Sequence, residues 1–379
     1  MAHEVESAAI HGTAWHNAGK RLDHLMTVEE ALHESGLDDW MLKLTPAVTF
    51  IKHRDIVVNS AGNPESAELM MKQINNWQRL ERATIAAGGW LSDDIAYIPI
   101  DRFGHFRTKD WTLLGDVGKD YRSIDNEFGF DVFKLLCDKD GLNVAKIQSA
   151  GSLRSGKRVW VLLSLKDSDL HINGARLIPY LLYWNAHDGS SAAHFQLTTV
   201  NVVCMNTLGA ALGEKYADLA VSVRHTGDIQ AKMAEVQNMM AQATTIFGNF
   251  ERIGNELDAK VVPQEALNEF MNFLYPPLDE TKTTNKQIAN RNTKILLLSE
   301  AIKQEVALLP QYTATGGGEK QFSYWTLLQG ITRYTTHMQG VRVGNRDDGE
   351  ARFESQIIGA GAEFNAKSAK KIMELAEVK

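Results

Sequence analysis

The alternation of apolar and polar positions has a strand-like character over the middle of the chain, from about residue 95 to residue 205. Short stretches rich in branched and aromatic residues are typical of strands. The stretches that predict strands are 96–101, 111–118, 144–148, 158–165, 180–184 and 193–204. Glycine-containing segments at 152–156 and 187–191 separate neighbouring stretches, and Asp188-Gly189 favours a hairpin because glycine accepts a positive φ cheaply. The pattern therefore predicts a meandering antiparallel sheet.

Beyond about residue 205 the apolar spacing becomes helical. Apolar residues recur every three or four positions after residue 228, which predicts one long amphipathic helix. The positions concerned are Ile229, Met233, Val236, Met240, Ala243, Phe247 and Phe250. Further helices are predicted over 284–308, 322–338 and 364–378, with a flexible glycine loop at 316–318. The fold class expected is α+β, with the antiparallel sheet in the first half and helices in the second.

These patterns divide the chain into three parts. Residues 1–215 are expected to form a mixed α+β core, 216–310 a helical region, and 311–379 the glycine loop and C-terminal helices. The longest apolar stretch, 177–184, is far shorter than the roughly 20 residues needed to span a bilayer. The N-terminus lacks the cationic and apolar regions of a signal peptide. A cytoplasmic protein without a membrane partner is expected.

Composition narrows the possible chemistry. The hydrophobic content of 44% and charged content of 23% are typical of a globular protein. The two cysteines, Cys137 and Cys204, are too few for a disulfide framework and too far apart for a zinc motif. The P-loop, the dinucleotide fingerprint, the nucleophile elbow and the zinc-protease helix motif are all absent from the sequence. These absences argue against the common nucleotide-dependent enzymes and leave an unfamiliar active site open. Whether the chain is an enzyme stays undecided, with a non-enzymatic role favoured.

Charge is unevenly distributed along the chain. The net charge is −7, yet residues 141–166 contain five basic and no acidic residues. Residues 281–346 contain nine basic residues against three acidic ones. The acidic average argues against a uniformly basic nucleic-acid coat, but phosphate binding depends on a local patch.

The strongest candidate for such a patch is the predicted hairpin around residue 155. Arg154, Lys157 and Arg158 surround Gly156 and could neutralise phosphates, and Trp160 could stack on a base. Core packing is the alternative for Trp160, because it lies within a predicted strand. The alternative for the cations is a solvated tip that protects a sheet edge from aggregation.

Two further anion sites are predicted where strands or turns lead into helices. Asn206 and Thr207 follow an apolar strand, and they either cap a helix or hold an anion at its N-terminus. Arg224 and His225 precede the long predicted helix, where they would face an anion unless His225 has a purely structural role.

A metal site is the main alternative chemistry. His187, Asp188 and His194 flank the second predicted hairpin, and imidazole and carboxylate groups suit several divalent ions. An N-terminal group with His11 and His16 is a further candidate. The spacing of the residues in neither group is diagnostic of a metal site. No cofactor is therefore expected, and a bound divalent metal is the alternative.

With these residues identified, the chain resembles the phage/plasmid-like protein family defined by the DUF932 domain of unknown function, nearly from end to end. The resemblance rests on short polar motifs at 12–19, 27–32, 114–121, 150–154, 158–160, 185–190, 202–208 and 224–227. The family pattern has Asn or Gln before Asn206-Thr207, where this chain has Met205. The resemblance implies a mobile-element setting with roles in replication, recombination or host conflict. The order of sheet and helices is also similar to that of phage single-strand annealing proteins.

The leading hypothesis is a single-stranded DNA-binding protein, acting as a homo-oligomer in strand annealing or as a recombination accessory. The motivating observation is the pair of basic segments on an acidic chain. One rival is a metal-dependent nuclease or nucleotide-modifying enzyme that uses His187, Asp188, His194 and Arg224. A second rival is a protein that interacts with a host-defence system. No feature of the sequence supports this role.

Overall fold

The strands and helices are known from a computed structural model. It describes residues 5–11, 19–52, 67–93, 95–139, 146–165, 169–172, 175–198, 220–226, 229–279, 282–309, 321–341, 351–352, 355 and 360–378. The strands are β1 Val5–His11, β2 Lys20–Leu22, β3 Leu42–Lys52, β4 Trp90–Ser92, β5 Ile95–Arg107, β6 Thr112–Gly118, β7 Lys146–Leu153, β8 Arg158–Ser164, β9 Leu170–Ile172, β10 Ala175–Leu177, β11 Tyr180–Ala186, β12 Ala193–Thr198 and β13 Ala220–Val223. The helices are α1 Val28–Glu34, α2 Ala67–Ala86, α3 Asn126–Lys139, α4 Ile229–Ala241, α5 Ala243–Asp258, α6 Gln264–Leu274, α7 Asn285–Ala307, α8 Tyr324–Arg333 and α9 Ala360–Leu375, with a π-helical turn at Tyr334–Met338.

A seven-stranded sheet forms the centre of the molecule, in the order β13-β12-β11-β8-β7-β1-β2. All neighbours are antiparallel except β1 and β2, which run parallel. Every side chain of β8 and of β11 is buried, which explains why these strands read as continuous apolar runs. The predicted α+β class, with sheets first and helices second, is confirmed. The division at residues 215 and 310 stays a prediction.

The two faces of this sheet belong to different apolar clusters. Val159, Val161 and Leu163 point into the main core, where α3 and the helices of the second half pack. Trp160 and Leu162 point the opposite way, into a smaller cluster with Trp184. This alternation follows from the two-residue period of a strand.

A second sheet is built from β3, β4, β5 and β6. This sheet and helix α2 together are here called the arm. Its strands are ordered β3-β5-β4, with β6 also paired to β5. Most of the β5 half that pairs with β6 is buried or half-buried against the end of the central sheet. The middle of the strand, residues 99–102, is exposed, and the end that pairs with β4 is half-buried. The sequence pattern predicted parts of β5 and β6 but not β3.

The helical half differs from prediction at one place. The single long helix expected from Ile229 to Phe250 is wrong, because α4 ends at Ala241 and α5 begins at Ala243. The amide of Gln242 is shared between the carbonyls of Asn238 and Met239, each 3.2 Å away. An amide that is shared between the carbonyls at i−3 and i−4 allows the helix axis to change direction while the apolar residues stay on one side of both helices. The predicted helix over 284–308 is confirmed as α7, and Thr284 begins it with a capping box.

No helix in the described ranges combines the length and the apolar character needed to cross a bilayer.

Candidate nucleic-acid interface

The tip of the β7–β8 hairpin is tightly wound and lies against the arm. Arg154, Ser155 and Gly156 all have positive φ values, of 53°, 56° and 86°. A Cβ atom on Gly156 would lie 3.3 Å from the Trp40 ring and 3.4 Å from the guanidinium of Arg107. Glycine fits here because it accepts the left-handed conformation and the close approach together. The hairpin predicted from sequence is present, but its tip is packed against protein.

Arg158 is committed to an internal ion pair. Its guanidinium lies 2.6 Å from the carboxylate of Asp188 and donates to the Ser190 hydroxyl at 2.5 Å. Burial alone would raise the pKa of Asp188, but the charge and hydrogen bonds of Arg158 outweigh it and lower that pKa. The two side chains neutralise each other, so Arg158 joins the β8 start to the β11–β12 turn.

Three buried histidines, here called the histidine cluster, lie between the arm and the central sheet: His105, His187 and His225. Nδ1 of His105 donates to the His187 carbonyl at 2.7 Å, and Nδ1 of His225 donates to the Arg122 carbonyl at 3.0 Å. Nε2 of His105 then accepts from the Ser123 hydroxyl at 2.8 Å. The arm is thus hydrogen-bonded to the end of β11.

The tautomer of His187 follows from its neighbour Asn126. The Asn126 amide donates to the Leu37 carbonyl at 3.0 Å, so its oxygen faces Nε2 of His187 at 2.9 Å and accepts that proton. Nδ1 of His187 and Nε2 of His225 are left as bare acceptors with no hydrogen-bond partner within the described residues. Burial lowers the pKa of all three histidines, so the cluster is neutral at pH 7.

The part of the chain that the structure describes contains no assembled set of metal ligands, as the metal alternative would require. No group of three or more His, Cys, Asp or Glu side chains there could hold an ion. His194 stacks on Trp184 with ring centroids 4.2 Å apart, and Ser222 and Ser191 flank its two ring nitrogens. Burial lowers the pKa of His194 to about 4. Asp188 meanwhile is held by Arg158.

The remaining predicted residues are spread over different environments. Trp160 is 4% exposed and its indole N–H points at the Ser149 hydroxyl, so it packs in the core and does not present a face for stacking. Arg224 is exposed beside the buried His225, and Lys157 is half-buried. Asn206, Thr207, Cys204 and the 316–318 loop lie outside the described residues. The structure therefore brings together Arg158, His187, Asp188 and His225, as an internal junction.

A surface that the sequence pattern did not reveal lies where β3 and β4 flank the start of β5. Phe50, Tyr97 and Trp90 stand opposite one another on β3, β5 and β4, and are here called the aromatic row. Phe50 is 57% and Trp90 51% exposed. The Trp90 and Tyr97 rings stack with centroids 5.2 Å apart and an interplanar angle of 10°. The Lys52 ammonium lies 5.7 Å from the Phe50 ring centre.

One sequence signal points to part of this row. A two-residue turn at 93–94 would place Trp90 directly opposite Tyr97, and Asp93 has the positive φ that such a turn requires. Phe50 has no comparable signal, because its strand pairs across some forty intervening residues.

A known protein-family model matches more than half of the chain. The family model described as "Domain of unknown function (DUF932)" matches residues 113–357. The matched range contains the hairpin tip, the Arg158–Asp188 pair, His187 and His225, whereas the aromatic row precedes it. No curated protein and no solved structure matches the chain.

Proposed function

This chain belongs to the DUF932 family of proteins of unknown function, and we propose that it binds single-stranded DNA by stacking bases on the aromatic row. The observation that carries the proposal is the line of three aromatic side chains across three strands, two of them more than half exposed. Successive bases stack on such side chains regardless of sequence, because every base has a π-face.

The geometry of the row suits stacking better than it suits a folded core. Trp90 and Tyr97 already lie nearly parallel, so their exposed surfaces are oriented before a base arrives. A rigid, preoriented platform costs less conformational entropy on binding than mobile side chains do. Large aromatic groups left exposed together on a strand surface otherwise promote aggregation.

Charge around the row favours a polyanion. Residues 42–52 and 67–102 contain six basic residues against five acidic ones, although the whole chain carries −7. The Lys52 ammonium lies over the Phe50 ring, and it can move to a phosphate when a base takes its place on that face.

The role of the histidine cluster in this proposal is to hold the arm. His105 belongs to β5, the strand that also contains Tyr97, and its bond to the His187 carbonyl joins that strand to the central sheet. The row thereby projects from a fixed support.

The test is fluorescence anisotropy of a labelled 20-nucleotide single strand with the full chain, at low and high salt. The Trp90→Ala and Phe50→Ala variants are expected to bind about 5- to 150-fold more weakly, from roughly 1–3 kcal/mol of stacking per base. Trp111→Ala is the matched control, since Trp111 is 62% exposed in the turn between β5 and β6 and lies outside the row.

Three results would count against the proposal. They are no binding at low salt, equal losses for Trp90→Ala and Trp111→Ala, and binding of duplex as tight as of single strands. A loss confined to Trp90 and Phe50, with affinity falling as salt rises, supports it.

The finer predictions from sequence stay predictions. They are strand annealing, a homo-oligomeric state, a cytoplasmic location and a mobile-element setting. The nuclease and host-defence alternatives stay predictions, and no described contact favours either.

A further inference from the structure

A pocket of about 540 Å³ lies in the helical half, remote in sequence from the arm. Sites for small organic ligands are typically clefts of this order of size with mostly apolar walls. The lining residues come from α6, from α7 and from the segment just before α8: Leu267, Met271, Ser299, Ile302, Lys303, Val306 and Phe322.

The apolar walls are held in place by the fold. Leu267 and Met271 stand one turn apart on α6, and Ile302 and Val306 stand one turn apart on α7. Phe322 is fixed because its carbonyl accepts from the Val262 amide at 2.9 Å. The three walls are therefore formed without a ligand.

Two polar side chains share one edge of the pocket. Ser299 and Lys303 are four residues apart on α7, which places a hydroxyl and an ammonium on the same helix face. The nearest acidic residues on that helix have other partners: Glu305 pairs with Arg333, and Glu300 accepts from Gln304 at 3.2 Å. Lys303 is exposed and lines the pocket, and within the described ranges it makes no ion pair.

We propose that this pocket binds a small amphipathic monoanion, a medium-chain carboxylate, with its hydrocarbon part between the walls and its head group on Lys303 and Ser299. Charge complementarity selects an anion, because a cationic or neutral head group would leave the ammonium without a counter-charge. The apolar walls select a hydrocarbon tail, which gains affinity from each methylene taken out of water. The chemistry is that of simple binding, and no bond is made or broken.

The test is isothermal titration of the full chain with octanoate, decanoate and decanol. Decanoate is expected to bind more tightly than octanoate by about fourfold per added methylene, the factor that corresponds to burial of each group. Decanoate is also expected to bind more tightly than decanol. Lys303→Met should weaken decanoate binding about fivefold, the scale of an exposed ion pair, and leave decanol unchanged.

Controls separate this site from general effects of charge or of the fold. Lys294→Met removes an exposed charge elsewhere on α7 and should leave decanoate binding unchanged. Val306→Trp fills the pocket and should abolish binding of decanoate and decanol alike, with circular dichroism confirming that the variant is folded.

The proposal is overturned if decanoate gives no heat, if it binds no more tightly than decanol, or if Lys303→Met and Lys294→Met weaken it equally. It is also overturned if a folded Val306→Trp variant still binds decanoate. Each of these outcomes leaves the aromatic row untouched, so failure here is distinguishable from failure of single-strand binding.

Discussion

The Arg158–Asp188 pair allows a quantitative prediction about the junction between strand β8 and the β11–β12 turn. Only 10% of the Arg158 side chain and 17% of the Asp188 side chain is exposed, and the charged atoms lie 2.6 Å apart. Removing one partner leaves the other charge nearly buried without its counter-ion. Breaking a buried pair in this way typically costs about 3–5 kcal/mol.

Arg158→Met is therefore expected to lower the free energy of unfolding by about 3 kcal/mol, and Asp188→Asn by a similar amount. The double variant should lose less than the sum of the single variants, since neither charge is then left alone. The assay is urea unfolding followed by tryptophan fluorescence, with linear extrapolation to water.

Arg102→Met is the matched control for this experiment. Arg102 also pairs with an aspartate, Asp116, at 3.0 Å, but the two side chains are 46% and 60% exposed. Solvent screening limits such a pair to about 1 kcal/mol or less. If Arg158→Met costs no more than Arg102→Met, or if the single losses simply add, the argument from burial is refuted.

Two further predictions concern the histidine cluster and α3. Because burial lowers the pKa of His187, the folded state stays neutral while the unfolded chain takes up a proton below about pH 6.5, so stability falls as pH drops. The urea midpoint should be lower at pH 5.5 than at pH 7.5, and equal midpoints would contradict a neutral cluster. Gly129→Ala should cost about 1–3 kcal/mol, because the new Cβ would lie 2.3 Å from the Tyr183 ring. Gly248→Ala meets nothing within 4 Å and should be neutral or stabilising, and equal thermal shifts for both variants would refute the packing argument.

Local patterns were sufficient for most of the central sheet and for α7. Strand β8 reads as apolar and branched because both sheet faces are covered, and Thr284 marks the start of α7 through hydrogen bonds within three residues. The turn after β11 follows from Asp188-Gly189, where Gly189 has a φ of 74°. The cap and the turn depend on interactions between residues close in the chain, and the burial of β8 is recorded in its apolar composition, so a single sequence contains all three.

Contacts between residues that are distant in the chain decide whether each candidate side chain is available to a ligand or engaged within the protein. Sequence shows that Arg158 is basic, but only the fold brings Asp188, thirty residues away, against it and turns a candidate phosphate ligand into an internal ion pair. Likewise Trp160 is buried because both faces of β8 are covered by distant parts of the chain, and its face of the strand places it in the smaller apolar cluster.

The same reason explains what was missed. The aromatic row exists because the register of β3 on β5 sets Phe50 opposite Tyr97, and register between strands so far apart is set by tertiary packing. Sequence by itself determined the class of fold, its family and its main elements. Tertiary structure decided which charges are neutralised, which aromatic rings face solvent and where a pocket forms, because burial and pairing are properties of the packed chain.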